Sequence, residues 1–171
     1  MSAIRRLSGF LEGAKGSKLG LLKLNFILLR VIPFNKPHGF KITHIDENQS
    51  VVHIPYKTRN LNHLKGIHAC AIATASEYSS GILLLSRLSA AKYRIIMKSI
   101  HVEYHYQAKM PVNAVFAIKE QELKSDVFIP LEQSDSVMKH FKVEVHDTDG
   151  NHIATSTMEW QLKNWKKVKT A

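Results

Sequence analysis

A single cysteine, Cys70, is all the thiol this chain carries, so no disulfide can form within it. Its N-terminus shows no basic start, apolar stretch and small-residue cleavage pattern of a signal peptide, and an intracellular, cytoplasmic, reduced setting is expected. No apolar run is long enough to cross a bilayer: the longest, Leu19 to Phe34, is interrupted by Lys23, Asn25 and Arg30 and ended by Pro33. No HExxH, cysteine pair or zinc-finger spacing occurs, and no RNA-binding aromatic motif. No internal repeat, low-complexity tract or long linker divides the 171 residues.

What is present is ordinary globular material, 44% apolar and 22% charged, which argues against disorder and for one core-forming domain. The formal charge of +10 raises nucleic acid as a partner. The charge is spread, however, and the one dense run, Lys163, Lys166, Lys167 and Lys169, lies at the C-terminus where basic tails are usually solvated, so no nucleic acid is expected. Lysines and arginines also suit phosphorylated small molecules such as coenzyme A. Ten histidines invite a metal reading, but His101 and His105 on one strand stand roughly 13 Å apart, too far for one ion. No metal and no other cofactor is expected.

Residues 1 to 32 read as helix, broken near Gly13 and Gly16-Ser17, and the breaker-rich Pro33-Phe34-Asn35-Lys36-Pro37-His38-Gly39 follows. With Arg5, Arg6, Lys15 and Lys18 upstream, the stretch containing Lys23 and Arg30 reads either as a helix packed on protein or as an amphipathic helix lying on an anionic membrane. Phe40 to Asp46 and Val51 to Tyr56 read as a hairpin across Glu47-Asn48-Gln49-Ser50. A long run of small and apolar residues to about Ser89 reads as a central helix despite Gly81. Period-two patterning then gives strands from Ile95, over Val112 to Lys119, Lys139 to His146 and Ile153 to Leu162, the last two joined by Asp147-Thr148-Asp149-Gly150-Asn151. Strands in succession without helices between them exclude a parallel doubly wound sheet, and one sheet curled around one helix is the economical α+β solution.

Inside that helix sits one carboxylate, Glu77. A buried ionised carboxylate is costly unless it is bonded or used, and burial among Ala73, Ala75 and Tyr78 is expected to raise its pKa toward that of a neutral-pH base. The plain alternative is a structural carboxylate bonded to Thr74, Ser80 or a backbone amide of a partner. His68, nine residues earlier and roughly 13 Å along the helix, cannot be its direct partner. Asn60 and Asn62 have an ordinary use in turns and caps. Cys70 reads as a packing residue rather than a nucleophile.

The segment Asn60-Leu61-Asn62-His63-Leu64-Lys65-Gly66-Ile67-His68-Ala69, followed by Glu77 and Gly81, resembles the entry to the central helix of the hotdog-fold thioesterase superfamily. The match spans about residues 35 to 163, and with the N-terminal helix and Pro33-Phe34 it is most similar to a subfamily known mainly as a domain of unknown function. The resemblance implies a curved antiparallel sheet around a long helix, with residues 1–34 as a helical extension and 35–171 as the hotdog domain. It implies a homodimer, or a dimer of dimers, that hydrolyses an acyl-CoA or another acyl thioester. Glu77 would be base or nucleophile, with Asn60 or Asn62 from the facing subunit and His68 assisting. Backbone amides of His68 and Ala69 would hold the oxyanion. Gly81, Arg87 and Arg94 would contact substrate. Active members commonly carry Gly-Gly after the helix histidine, where this chain has Ala69-Cys70, so a non-catalytic protein holding an acyl chain or acyl-CoA is the alternative. In a third reading the basic N-terminal helix and C-terminal tail dock on anionic lipid or nucleic acid.

Overall fold

The computed structural model describes residues 3–168, with side chains from residue 7 onward; Lys169 and the side chains of Arg5 and Arg6 lie outside the described residues. Two helices open the chain, α1 (Ala3–Ala14) and α2 (Lys18–Val31). Gly16, at φ +66°, makes the turn, and the Ser17 side chain caps α2 by accepting from the Gly20 amide at 3.1 Å. The helices cross so closely at Gly20 that a Cβ there would fall 1.8 Å from the Gly13 carbonyl oxygen. Leu7, Leu11, Leu24 and Leu28 join the main core, so the extension is packed into the body of the protein.

The hairpin strands are β1 (Lys41–Ile45) and β2 (Gln49–Ile54). The Asp46 carboxylate closes their turn by accepting from the Asn48 and Gln49 amides at 2.8 and 2.7 Å. The outer edge of β1 is covered by α2: Asn25 Nδ2 donates to the Ile42 carbonyl and the Ile42 amide donates to Asn25 Oδ1, both at 2.8 Å. One side chain thus stands in for a neighbouring strand.

The central helix, α3 (Ala69–Arg87), buries Ser76, Ser79, Ser80 and Gly81 against the sheet. Its close approach is hydrogen-bonded: Ser50 Oγ donates to the Ser79 carbonyl at 2.7 Å, and Ser156 Oγ donates to Ser76 Oγ at 2.8 Å. The remaining strands are β3 (Tyr93–Tyr104), β4 (Val112–Ala117), β5 (Ser136–Asp147) and β6 (His152–Asn164). All pair antiparallel in one six-stranded sheet of order β1-β2-β4-β5-β6-β3. The long strand β3 therefore lies at an edge, bonded to β6 on one side.

The strands do not follow one another without helices: α4 (Glu120–Leu123), a π-turn (Lys124–Phe128) and α5 (Ile129–Gln133) form a helical segment between β4 and β5. Leu123, Val127 and Leu131, one turn apart, bury its inner face.

Candidate active site

Glu77 is partly buried on α3, and its carboxylate makes no hydrogen bond or ion pair with another described residue. The two intrachain partners expected of a structural carboxylate point elsewhere: Thr74 Oγ1 donates to the Cys70 carbonyl at 2.8 Å, and Ser80 Oγ bonds the Ser76 and Glu77 carbonyls and Met158 Sδ. Burial holds the Glu77 carboxyl above its ordinary pKa. Burial, and next the Glu77 charge, hold the neighbouring Tyr78 phenol protonated far above its ordinary value.

Glu77 lines a cavity of about 170 Å³ with Ile32, Asn35, Tyr78, Gly81, Ile82, Leu85, Ile95 and Trp160. The walls are apolar and aromatic, with Glu77 and Asn35 as the polar groups that would orient a ligand. Asn35, read in sequence as part of a breaker stretch, is 4% exposed, and its Oδ1 is buried without a hydrogen-bond partner. Gly81 keeps the cavity open, since a Cβ there would approach Trp160 Cη2 to 3.1 Å.

Two further cavities flank the start of α3. One, of about 240 Å³, is lined by Phe34, His38, Asn60, His68, Cys70 and Thr74, among others. The other, of about 380 Å³, is lined by Asn62, Ala69, Ile72 and Tyr104, among others. His68 is the helix N-cap: its Nδ1 accepts from the Cys70 amide at 3.1 Å, so the neutral ring carries its proton on Nε2.

The expected site residues separate here. Asn60 is built into the fold: it is 1% exposed, Nδ2 donates to the carbonyls of His38 and Pro55, and Oδ1 faces His38 Nδ1 at 3.0 Å. Asn62 turns the loop by accepting from the Leu64 and Gly66 amides through Oδ1, which leaves its Nδ2 without a partner among the described residues. The expected pair of oxyanion donors is reduced to one. The His68 amide already donates to the Asn60 carbonyl at 2.7 Å, whereas the Ala69 amide has no acceptor among the described residues.

Arg87 is held by the carboxylates of Glu47 and Glu120, which engage the charge expected to meet substrate. Arg94 donates to Gln161 Oε1 at 2.9 Å and leaves a buried Nε unpartnered. Cys70, expected to be buried, is exposed at the start of α3. Pairing of β5 with β6 also brings together two histidines other than His101 and His105. Glu144, His146 and His152 place their ligand atoms within 4.8 Å of one another. Within it Lys142 Nζ lies 3.1 Å from Glu144 Oε1, and Thr155 Oγ1 lies 3.0 Å from His152 Nε2.

A curved antiparallel sheet wrapped on one long helix is the hotdog fold. The chain belongs to the family described as a domain of unknown function, DUF4442, whose profile matches residues 23–162. No curated protein matches the sequence. Among solved structures, the chain is similar to PA5026 of Pseudomonas aeruginosa, a protein of unknown function described as "Probable Thioesterase". The TM-score is 0.75 and the identity 18%, over 82% of this chain and 93% of that one. It is also similar to the thioesterase HI1161 of Haemophilus influenzae, at TM-score 0.68 and 10% identity over 88% and 94% of the two chains. A variant of the thioesterase PA1618 of Pseudomonas aeruginosa matches at TM-score 0.67 and 11% identity, over 84% and 94%. At such low identity these likenesses establish the fold.

Proposed function

We propose that the protein is a thioesterase acting on an acyl-CoA or another acyl thioester, with Glu77 as its general base or nucleophile and the working unit a homodimer. The observation that carries this reading is the Glu77 carboxylate itself, partly buried, without a partner among the described residues, and facing an apolar cavity. In the general-base route, Glu77 takes a proton from water as the water oxygen attacks the thioester carbonyl carbon. The oxyanion is held by the Ala69 amide at the positive end of α3, and the carbon–sulfur bond then breaks as the thiolate recovers the proton from Glu77.

Ala69 and Glu77 lie eight residues apart on one helix, roughly 12 Å, so one chain does not bring base and oxyanion donor together. A second copy does. Ile95, early in β3, lines the Glu77 cavity, and Tyr104, at its far end, lines the cavity of Asn62 and Ala69. Antiparallel pairing of two β3 edges about a two-fold axis near Ser99 and Ile100 sets the Glu77 cavity of one copy beside Asn62 and Ala69 of the other.

Hydrolysis of a panel of acyl thioesters by the wild type and a folded Glu77→Gln variant tests the chemistry, and equal rates would remove Glu77 from it. Mixing tests the dimer. If each site draws Glu77 from one chain and Asn62 from the other, refolding Glu77→Gln with Asn62→Asp chains restores about a quarter of wild-type activity, because half the dimers are mixed and each holds one intact site. No recovery on mixing rejects the shared site. A non-catalytic acyl-CoA binder is favoured by one observation, the engaged His68 amide, which leaves one oxyanion donor where two were expected. Tight acyl-CoA binding with no turnover across the panel would select that reading.

A further inference from the structure

The outer face of α2 is apolar where it meets water. Leu19, Leu22 and Phe26 are 62%, 68% and 59% exposed, while Leu24 and Leu28 on the opposite face are buried. At 100° per residue these three and the half-buried Leu29 form one stripe, bordered by Lys18 on one side and by Lys23 and Arg30 on the other. All three cations are exposed, and the Arg30 guanidinium carbon sits 3.6 Å above the Phe26 ring. No acidic residue occurs in α2. A contiguous stripe of this kind is unlike singly scattered surface apolar residues and marks a surface that meets another apolar phase.

We infer that this face of α2 docks the protein on an anionic lipid surface, with Leu19, Leu22 and Phe26 inserted among the acyl chains and Lys18, Lys23 and Arg30 on the headgroup phosphates. Charge selects this occupant. The stripe is framed by cations without a balancing acid on the same helix, and the whole chain carries +10, so an anionic bilayer supplies both the apolar phase and the counter-charge. No helix among the described residues is long and apolar enough to cross a membrane, which fits an interfacial helix.

The position of the stripe adds a consequence that rests on the thioesterase reading. Ile32, the residue after α2, lines the Glu77 cavity, and Phe34, 63% exposed, lines the neighbouring cavity at His68. Docking along α2 would therefore bring the two cavities at its C-terminal end close to the lipid surface. Substrates with long acyl chains, which reside in the bilayer, would enter from it rather than from water.

The test is co-sedimentation of the full chain with vesicles of phosphatidylcholine alone and of phosphatidylcholine with phosphatidylglycerol, at low and high salt. Expected is partition onto the anionic vesicles that weakens with salt. Leu22→Glu with Phe26→Glu should abolish it, and Lys23→Glu with Arg30→Glu should lower it by about tenfold or more. Equal partition of the wild type and both variants, or no partition at all, overturns the proposal. So does a change in sedimentation of the Leu22→Glu, Phe26→Glu variant from one oligomeric state to a smaller one without loss of vesicle binding, which would assign the stripe to contact between copies. The two readings fail separately. Vesicle binding needs no turnover and should persist in Glu77→Gln, whereas hydrolysis of a short, water-soluble thioester tests the chemistry without lipid.

Discussion

Glu77 and Asn35 face one cavity from different elements, Glu77 from α3 and Asn35 from the turn after α2, and the Glu77 carboxylate and the Asn35 Oδ1 each lack a hydrogen-bond partner among the described residues. A buried amide oxygen left without a donor costs about 1–3 kcal/mol, and a fold with no use for it gains by losing it. Asn35→Leu, with the same branching and the same number of heavy atoms, is therefore expected to leave thermal stability unchanged or slightly raised while lowering thioester hydrolysis at least about tenfold, through loss of a polar group that orients the ligand. Thermal melts and kcat on one preparation check this. A less stable variant of full activity would make Asn35 a packing residue.

The raised pKa of Glu77 has consequences for both activity and stability. A base must be ionised, so the acidic limb of the pH–rate profile is expected above the range of ordinary carboxylates, and Glu77→Gln is expected to cost about 100-fold to 10,000-fold in kcat. Because the folded protein binds this proton more tightly than the unfolded chain does, the stabilising contribution is complete below the ordinary carboxylate pKa. It is lost as pH rises through the raised value. Glu77→Gln should thus melt higher than the wild type near pH 8 and at the same temperature near pH 4. Parallel melts at the two values decide it, and no difference at pH 8 would mean that the carboxylate is not destabilised where it sits.

Asn60 and Asn62 have similar sequence settings and opposite structural ones. Asn60→Asp places a carboxylate where two carbonyls, those of His38 and Pro55, require a donor, and a loss of about 3 kcal/mol or more is expected. Asn62→Asp keeps the oxygen that accepts from Leu64 and Gly66 and removes only the free Nδ2 donors. It is expected to fold like the wild type with a lower kcat. Denaturant titration and kinetics on the pair separate the two roles.

The sequence is legible where one short-range pattern governs. Small apolar residues with one carboxylate mark α3 and Glu77, and period-two alternation marks β4, β5 and β6. The segment Glu120 to Gln133 is less legible because Pro130 and a run of charged residues mask the spacing of Leu123, Val127 and Leu131. The remaining misses depend on contacts between distant parts of the chain. Arg87 meets Glu47 and Glu120 only after folding, the His68 amide meets the Asn60 carbonyl across a loop, and Asn35 gains its cavity from α3 and β6. Cys70 is exposed on the outer side of the first turn of α3, whose inner side buries Ala71 and Ile72, a division the uniformly small and apolar character of the run conceals. No local pattern carries such information, so the fold could be read further than the site.

Gly81 offers a graded test of what the Glu77 cavity holds. A Cβ at this position would stand 3.1 Å from Trp160 Cη2, a contact that a small shift of the ring relieves. Replacing a helical glycine by alanine contributes about 1 kcal/mol in helix propensity, so Gly81→Ala is expected to be near neutral in stability. Gly81→Val adds a branch that Trp160 cannot clear, and overpacking of about 1–3 kcal/mol follows. Each further methylene of a buried acyl chain contributes about 0.8 kcal/mol, close to fourfold in kcat/KM. If the chain lies beside Gly81, that increase should end at a shorter acyl length in Gly81→Ala than in the wild type, and at a shorter length again in Gly81→Val, with kcat on the shortest substrates retained. A plot of kcat/KM against chain length reads this out. Three coincident curves would place the acyl chain outside this cavity, while a uniform fall at all lengths would trace to stability rather than to shape.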